Sequence, residues 1–286
     1  AAQFLRSLLT GYDRGQANMQ SLCVGRDMRT SRPAIAKALI KGMNATGANV
    51  IDIGMIDTPQ MYFAINHLGT CGGVQVTASH NPAKYNGFKI SGLQAKPVGA
   101  DTGLKDIQHI AMAMPHTKGN GSVEKRDLTA EYRNHVLKFL KPTRTRLKIA
   151  IDASNGMAGK MVPAVFADLP VKIIPINFEH DGTFKHEPNP RVEENLAEVK
   201  EAVVENGCQF GFCFDGDADR LMMVDEKGRT VTCDLMTALI AAYFLENNPK
   251  STVVYDMRSS RVVAEEIIKH GGTPRRERVG HAYMKK

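Results

Sequence analysis

Short apolar runs that end in an acidic residue alternate along the chain with stretches of helical composition. Leu22-Cys-Val-Gly-Arg-Asp27 reads as a strand, and Met28-Arg-Thr-Ser-Arg32 leads through Pro33 into helix-forming residues 34–40. Proline is tolerated in the first turn of a helix, so Pro33 marks the start rather than a break. Thr252-Val-Val-Tyr-Asp256, Met257-Arg-Ser-Ser-Arg261 and residues 262–268 repeat the arrangement, with Asp-Met-Arg-[Thr/Ser]-Ser-Arg in both copies. Leu147-Lys-Ile-Ala-Ile-Asp152 followed by Ala153-Ser-Asn-Gly-Met157 is a looser middle copy, although any strand feeding a helix cap has this look. Residues 48–53 and 171–176 add strand-like runs after the first two helices. Alternation of this kind predicts βαβ units, and hence repeated three-layer α/β domains with largely parallel, mixed sheets. Polar stretches near Asp127 and Thr230 place expected boundaries, giving domains at 1–127, 128–230 and 231–286, the third short for a copy of the others.

Composition narrows the possibilities. The 286 residues, 43% hydrophobic and 23% charged, suit a soluble chain of two or three domains and speak against disordered or fibrous architectures. The longest apolar run, residues 238–245, is too short to span a bilayer, so no membrane partner is expected. Residues 1–9 read as an amphipathic helix without the features of an export signal. Five cysteines, with no C-x-x-C pair, argue against a disulfide framework and a thiolate zinc site and for a cytoplasmic setting. The formal charge of +7 is not concentrated: no basic run exceeds Pro274-Arg-Arg-Glu-Arg278, Trp is absent and aromatics are 6%. Nucleic acid is therefore a poor fit and a small anionic substrate a good one.

Two segments carry candidate chemistry. Gly73-Val-Gln-Val76 is a short strand followed by Thr77-Ala-Ser-His-Asn-Pro82, a loop of small, polar and turn-forming residues. Loops at the carboxyl ends of strands are where open α/β sheets place ligands. Asn81-Pro82 enforces a turn that would present the Ser79 hydroxyl outward as a candidate nucleophile, with the Lys89 cation near in sequence to neutralise a phosphoryl group. Turn capping by Thr77 and Ser79 alone is the plainer alternative. The second segment, Asp215-Gly-Asp-Ala-Asp-Arg220, lies between the strand-like runs 209–214 and 221–224. Three carboxylates at alternate positions concentrate a charge that a hard cation, Mg²⁺ or Ca²⁺, would relieve. Asp215, Asp217 and Asp219 occupy EF-hand positions, but Arg220 stands where that loop needs Gly and strands replace its helices. A strand-end D-x-D also serves haloacid-dehalogenase-type phosphotransferases, with Asp215 as the nucleophile, although Asp219 replaces their usual Thr or Val.

Taken together, these segments resemble the α-D-phosphohexomutase family, whose members include phosphomannomutase and phosphoglucomutase. Thr77-Ala-Ser-His-Asn-Pro82 with Tyr85-Asn-Gly-Phe-Lys89 is similar to the family's phosphoserine loop, and Asp215-Gly-Asp-Ala-Asp-Arg220 to its metal loop. Val24-Gly-Arg-Asp27, His186-Glu-Pro-Asn-Pro190 and Gly280-His-Ala-Tyr-Met-Lys285 also match, in family order along essentially the whole chain. The resemblance implies four domains around a cleft, the first three alike. It implies that Ser79 is phosphorylated, with His80 beside it, and that Asp215, Asp217 and Asp219 hold Mg²⁺ together with a phosphoryl oxygen on Ser79. Lys89 and Arg220 match active-site cations, and His281 a histidine near the sugar that helps proton transfer. The implied reaction interconverts hexose 1- and 6-phosphates, of mannose or glucose, through a hexose 1,6-bisphosphate that also acts as activator.

Some family elements are not found. Tyr12-Asp-Arg-Gly15 only superficially matches the family's Tyr-Asp-Ile-Arg-Gly, and the sugar-selecting Gly-Glu-Met-Ser-Gly-His loop and the fourth domain do not appear before Lys286. The expectation is a chain truncated at both ends, able to bind metal, with an inactive phosphosugar-binding fragment as a further alternative. Among smaller features, Asn155-Gly-Met-Ala-Gly-Lys160 lacks Walker spacing and reads as a helix start. His180 and His186 read as surface histidines, Cys71 as a packed residue, and Met55 and Met61 as core filler.

Overall fold

The computed structural model describes residues 20–113, 118–140 and 145–284; the helix expected at residues 1–9 lies outside them. The chain begins with β1 (Ser21–Arg26), α1 (Arg32–Ala45), β2 (Asn49–Met55), α2 (Thr58–His67), β3 (Gly73–Val76), β4 (Phe88–Ser91), α3 (Leu104–Met112) and β5 (Val123–Lys125). Helix α4 (Thr129–Leu137) leads to β6 (Leu147–Asp152), α5 (Ala158–Phe166), β7 (Val171–Ile176), α6 (Ala197–Glu205), β8 (Phe210–Phe214), β9 (Leu221–Asp225) and β10 (Thr230–Val231). The last elements are α7 (Cys233–Asn247), β11 (Thr252–Asp256), α8 (Arg261–Lys269), β12 (Thr273–Glu277) and α9 (His281–Met284).

The first sheet has the order β4-β3-β1-β2-β5, and only β4 runs antiparallel to its neighbour. β1 is buried over its first five residues, which is why it reads as an unbroken apolar run rather than an alternating one. Leu22, Val24, Val50 and Val74 pack on one face of the sheet and Cys23, Ile51, Ile53 and Met61 on the other. The second sheet, β10-β9-β8-β6-β7, is parallel across β8-β6-β7 and antiparallel from β8 to β10. The expected boundary at Thr230 falls on β10. The last two strands, β11 and β12, pair in parallel. Among the described residues, no helix is long and apolar enough to cross a membrane.

Helix starts follow the local chemistry. Asp57 caps α2 by accepting the Gln60 N–H at 2.7 Å, and Pro59 occupies its first turn. Residues 155–160 run into α5 as a helix start, and Lys160 reaches across to Met55 O of the first sheet at 2.5 Å. Cys71 and Met61 are packed in the core, whereas Met55 is only half-buried. The carboxyl ends of β3 and β8 thereby face each other, which brings the two candidate loops together.

Candidate active site

The loop after β3 turns sharply: the Asn81 N–H donates to Ala78 O at 3.0 Å and Ser79 sits at φ +51°. That left-handed conformation is uncommon for a residue with a side chain. Thr77 Oγ1 supports it by accepting the Ser79 N–H at 2.9 Å. Ser79 is only 6% exposed, and its hydroxyl donates to Asp215 Oδ2 at 2.7 Å. The hydroxyl expected to point outward is turned inward, because the loop after β8 closes over it. Gly216 permits this approach, since a Cβ there would stand 2.6 Å from Ser79 O.

The three carboxylates follow β8. Asp215 Oδ1 accepts the N–H groups of Asp219 and Arg220, each at 3.1 Å, and Ala218 at φ +56° bends the chain back on itself. Ligand oxygens from Asp215, Asp217 and Asp219 lie within 4.8 Å of one another. Lys89, carried by β4, donates to Asp217 Oδ2 at 2.7 Å and Asp219 Oδ2 at 2.6 Å. Thr58, at the start of α2, donates its hydroxyl to Asp217 Oδ2 at 2.6 Å and its N–H to Asp217 O at 3.0 Å. Among the described residues, Asp217 Oδ1 is buried without a hydrogen-bond partner. An orphaned carboxylate oxygen within a set of hard oxygen donors fits a divalent cation such as Mg²⁺.

The charges act on one another. Burial, reinforced by Asp217 and Asp219, pushes the Asp215 carboxyl up to about 8. Burial opposes the charge on Asp217, but the Lys89 ammonium and its hydrogen bond outweigh it and hold that carboxyl below its ordinary range. Burial alone would lower Lys89; Asp217 and Asp219 reverse this and raise it. Arg220 donates to His80 Nδ1 at 3.0 Å, and burial together with this cation lowers the imidazole. Because Arg can only donate, that contact leaves the His80 proton on Nε2. His281 begins α9, but its side chain lies outside the described residues.

Sequence comparison gives the same picture along the chain. Domains I, II and III of phosphoglucomutase/phosphomannomutase, each of alpha/beta/alpha type, match residues 2–115, 130–228 and 232–286 respectively. A phosphomannomutase from Salmonella montevideo is 38% identical over 277 residues, covering 93% of this chain and 61% of its own length. A phosphoglucomutase from Neisseria meningitidis is 34% identical and covers 94% and 59%. The crystal structure of a phosphoglucomutase/phosphomannomutase family protein from Burkholderia thailandensis superposes with a TM-score of 0.87 at 33% identity, covering 100% of this chain and 64% of that one. The chain belongs to the phosphoglucomutase/phosphomannomutase family. It spans about 61% of the length of the first curated relatives it matches.

In this family member, three features near the site escape a reading of the sequence. Thr58 carries no local signal and Arg29 is marked only by the Asp-Met-Arg repeat; both meet the site only through the fold. His186, expected on the surface, is 16% exposed at its side chain and sits 3.1 Å from the buried Asp152 Oδ2. Its Nδ1 faces Glu187 O at 2.9 Å, so both ring nitrogens meet acceptors and the imidazolium satisfies both. The hydrogen bond to Asp152 raises the His186 pKa above its ordinary 6.5, with burial working against it. The associated stabilisation is complete below about pH 6.5 and lost as pH rises through the raised folded value. His186→Gln should therefore lower the melting temperature more at about pH 6 than at about pH 9. Equal losses at both pH values would contradict the ion pair.

Proposed function

We propose that the gene product containing this chain is a phosphohexose mutase, an isomerase that interconverts mannose or glucose 1-phosphate and 6-phosphate through phosphoserine 79 and a hexose 1,6-bisphosphate. The observation that carries this reading is the Ser79 hydroxyl, buried 2.7 Å from Asp215 beside the cation pair Lys89 and Arg220. The domains at 1–127, 128–230 and 231–286 would then contribute the serine loop, the carboxylate loop and part of the sugar site. Free thiols at Cys23, Cys71, Cys208 and Cys213, all buried, suit a cytoplasmic setting.

Asp215, Asp217 and Asp219, with an oxygen on Ser79, would hold Mg²⁺, which when bound neutralises charge on the phosphoryl group. Phosphoryl transfer asks mostly for positioning and charge neutralisation, and Lys89 from β4 and Arg220 from the carboxylate loop supply cations. A sugar hydroxyl oxygen forms the new bond to phosphorus as the Ser79 Oγ–P bond breaks, and its proton passes to a nearby base. His281 is assigned that part, while the departing Ser79 Oγ takes up a proton from water and becomes the hydroxyl, with neutral His80 donating a hydrogen bond from Nε2 beside it. The bisphosphate then turns round and returns its other phosphoryl group to Ser79.

The test is intact mass and phosphopeptide mapping after incubation with a hexose 1,6-bisphosphate and Mg²⁺. One acid-stable phosphate on Ser79 is expected. A hydroxylamine-labile phosphate on Asp215 would instead favour an aspartyl-phosphate phosphotransferase. Binding without any transfer by the complete gene product would leave a non-enzymatic phosphosugar-binding protein.

A further inference from the structure

We propose that Arg29 is a positioning residue for phosphoryl transfer at Ser79, acting by clamping the backbone of the loop that carries the serine. The inference rests on the reading of Ser79 as the phosphorylated residue. Arg29 lies in the linker between β1 and α1, 50 positions before Ser79, and is 1% exposed. Its Nη2 donates to Ser79 O at 2.9 Å and to Asn81 O at 2.6 Å, and its Nη1 to Pro82 O at 2.7 Å. Three carbonyls of one turn thus converge on a single planar group. A guanidinium presents its donors in a rigid fork, so it fixes these oxygens relative to one another as well as binding them. The left-handed Ser79 backbone therefore has a long-range restraint besides Thr77 Oγ1.

The clamp is itself anchored. Arg29 Nε donates to Asp27 Oδ2 at 3.2 Å. The Phe184 ring from the second unit lies 4.8 Å from the Arg29 guanidinium. The serine loop is thereby referenced to both halves of the site, the one bearing Ser79 and the one bearing the carboxylates. Arg32, equally buried, makes a different set of contacts: Asp27 and, at 3.4 Å, Tyr85 O, with no hydrogen bond to residues 79–82.

The internal repeat isolates the device. Asp256 and Arg258 reproduce the Asp27–Arg29 pair, with Arg258 Nη2 donating to Asp256 Oδ2 at 2.6 Å. The Arg258 side chain is 55% exposed, and among the described residues its hydrogen bonds go to Asp256 alone. The Asp–Arg pair is common to both copies; the grip on carbonyls belongs to the copy that carries Ser79.

Arg29→Gln and Arg32→Gln each leave Asp27 facing one arginine, so the two variants are matched in buried charge. With the complete gene product, a hexose 1,6-bisphosphate and Mg²⁺, single-turnover phosphorylation of Ser79 should slow about a hundredfold in Arg29→Gln, the effect of misplacing a reacting group by about an ångström. The half-saturating bisphosphate concentration should stay within about threefold of wild type, as expected for a defect confined to the reacting step. Arg32→Gln should keep a rate within about threefold of wild type, and amide exchange in residues 79–81 should accelerate only in the Arg29 variant. If Arg29→Gln fails to fold, Arg29→Lys carries the test: it keeps the charge but loses the fork, and should remain at least tenfold slow. An Arg29 variant that phosphorylates Ser79 at the wild-type rate overturns the proposal, as do equal losses in the Arg29 and Arg32 variants. A wild-type protein that takes no phosphate on Ser79 overturns the underlying reading, and this inference with it.

Discussion

Ser79→Ala should fold, bind metal and take no phosphate from a hexose 1,6-bisphosphate, with mutase turnover of the complete gene product falling by at least about three orders of magnitude. The substitution removes one hydroxyl and leaves the loop's backbone supports in place, since Arg29 and the Asn81–Ala78 turn do not depend on the side chain. Asp215 Oδ2 loses its donor, but Oδ1 keeps two N–H groups, so stability should fall by only about 1 kcal/mol. Chemistry and folding are thereby separated in one variant. Urea unfolding checks the stability, and intact mass after incubation with bisphosphate checks the transfer. Full labelling of the alanine variant would move the acceptor elsewhere, with Asp215 the first place to look.

Asp217→Asn should abolish the thermal stabilisation given by Mg²⁺ and also lower the stability of the metal-free protein, because the Lys89 ion pair that holds Asp217 ionised is lost. In the metal-free site three carboxylates face two cations, and among the described residues Asp217 Oδ1 is buried without a partner. Removing that charge relieves repulsion from Asp215 and Asp219 but gives up the Lys89–Asp217 ion pair, while Lys89 keeps Asp219 and the remaining side-chain oxygen can still accept from Thr58. With Mg²⁺ the loss is larger, because a carboxylate ligand has been replaced by a neutral amide. Affinity should fall about a hundredfold or more, and the ligand-induced rise in melting temperature should vanish with it. Melting curves across a Mg²⁺ titration read both effects. A variant stabilised by Mg²⁺ as wild type is would remove Asp217 from the metal site.

Much of this site can be read from short stretches of sequence, because its parts are local. A small-residue turn after a strand marks the Ser79 loop, and alternate carboxylates between two apolar runs mark the Asp215 loop. Each is a statement about neighbours within six residues. The burial of Ser79 is not readable in the same way, since it depends on a loop 136 positions away. Thr58 is silent in sequence for the same reason: its role at Asp217 spans 159 positions. His186 misleads because its surroundings in sequence are polar, while in space its partner is the buried end of β6.

The two Asp-Met-Arg copies divide the contributions cleanly. The sequence by itself determined the alternation of strands and helices, the chemistry at strand ends and the repeated Asp-Met-Arg motif, because backbone periodicity and short motifs are local properties. It could not distinguish Arg29 from Arg258. Only the tertiary structure buried one beneath three carbonyls and left the other more than half exposed. The charge, shape and donors of a side chain are fixed by its type, whereas its desolvation and its long-range partners exist only once distant segments have packed together.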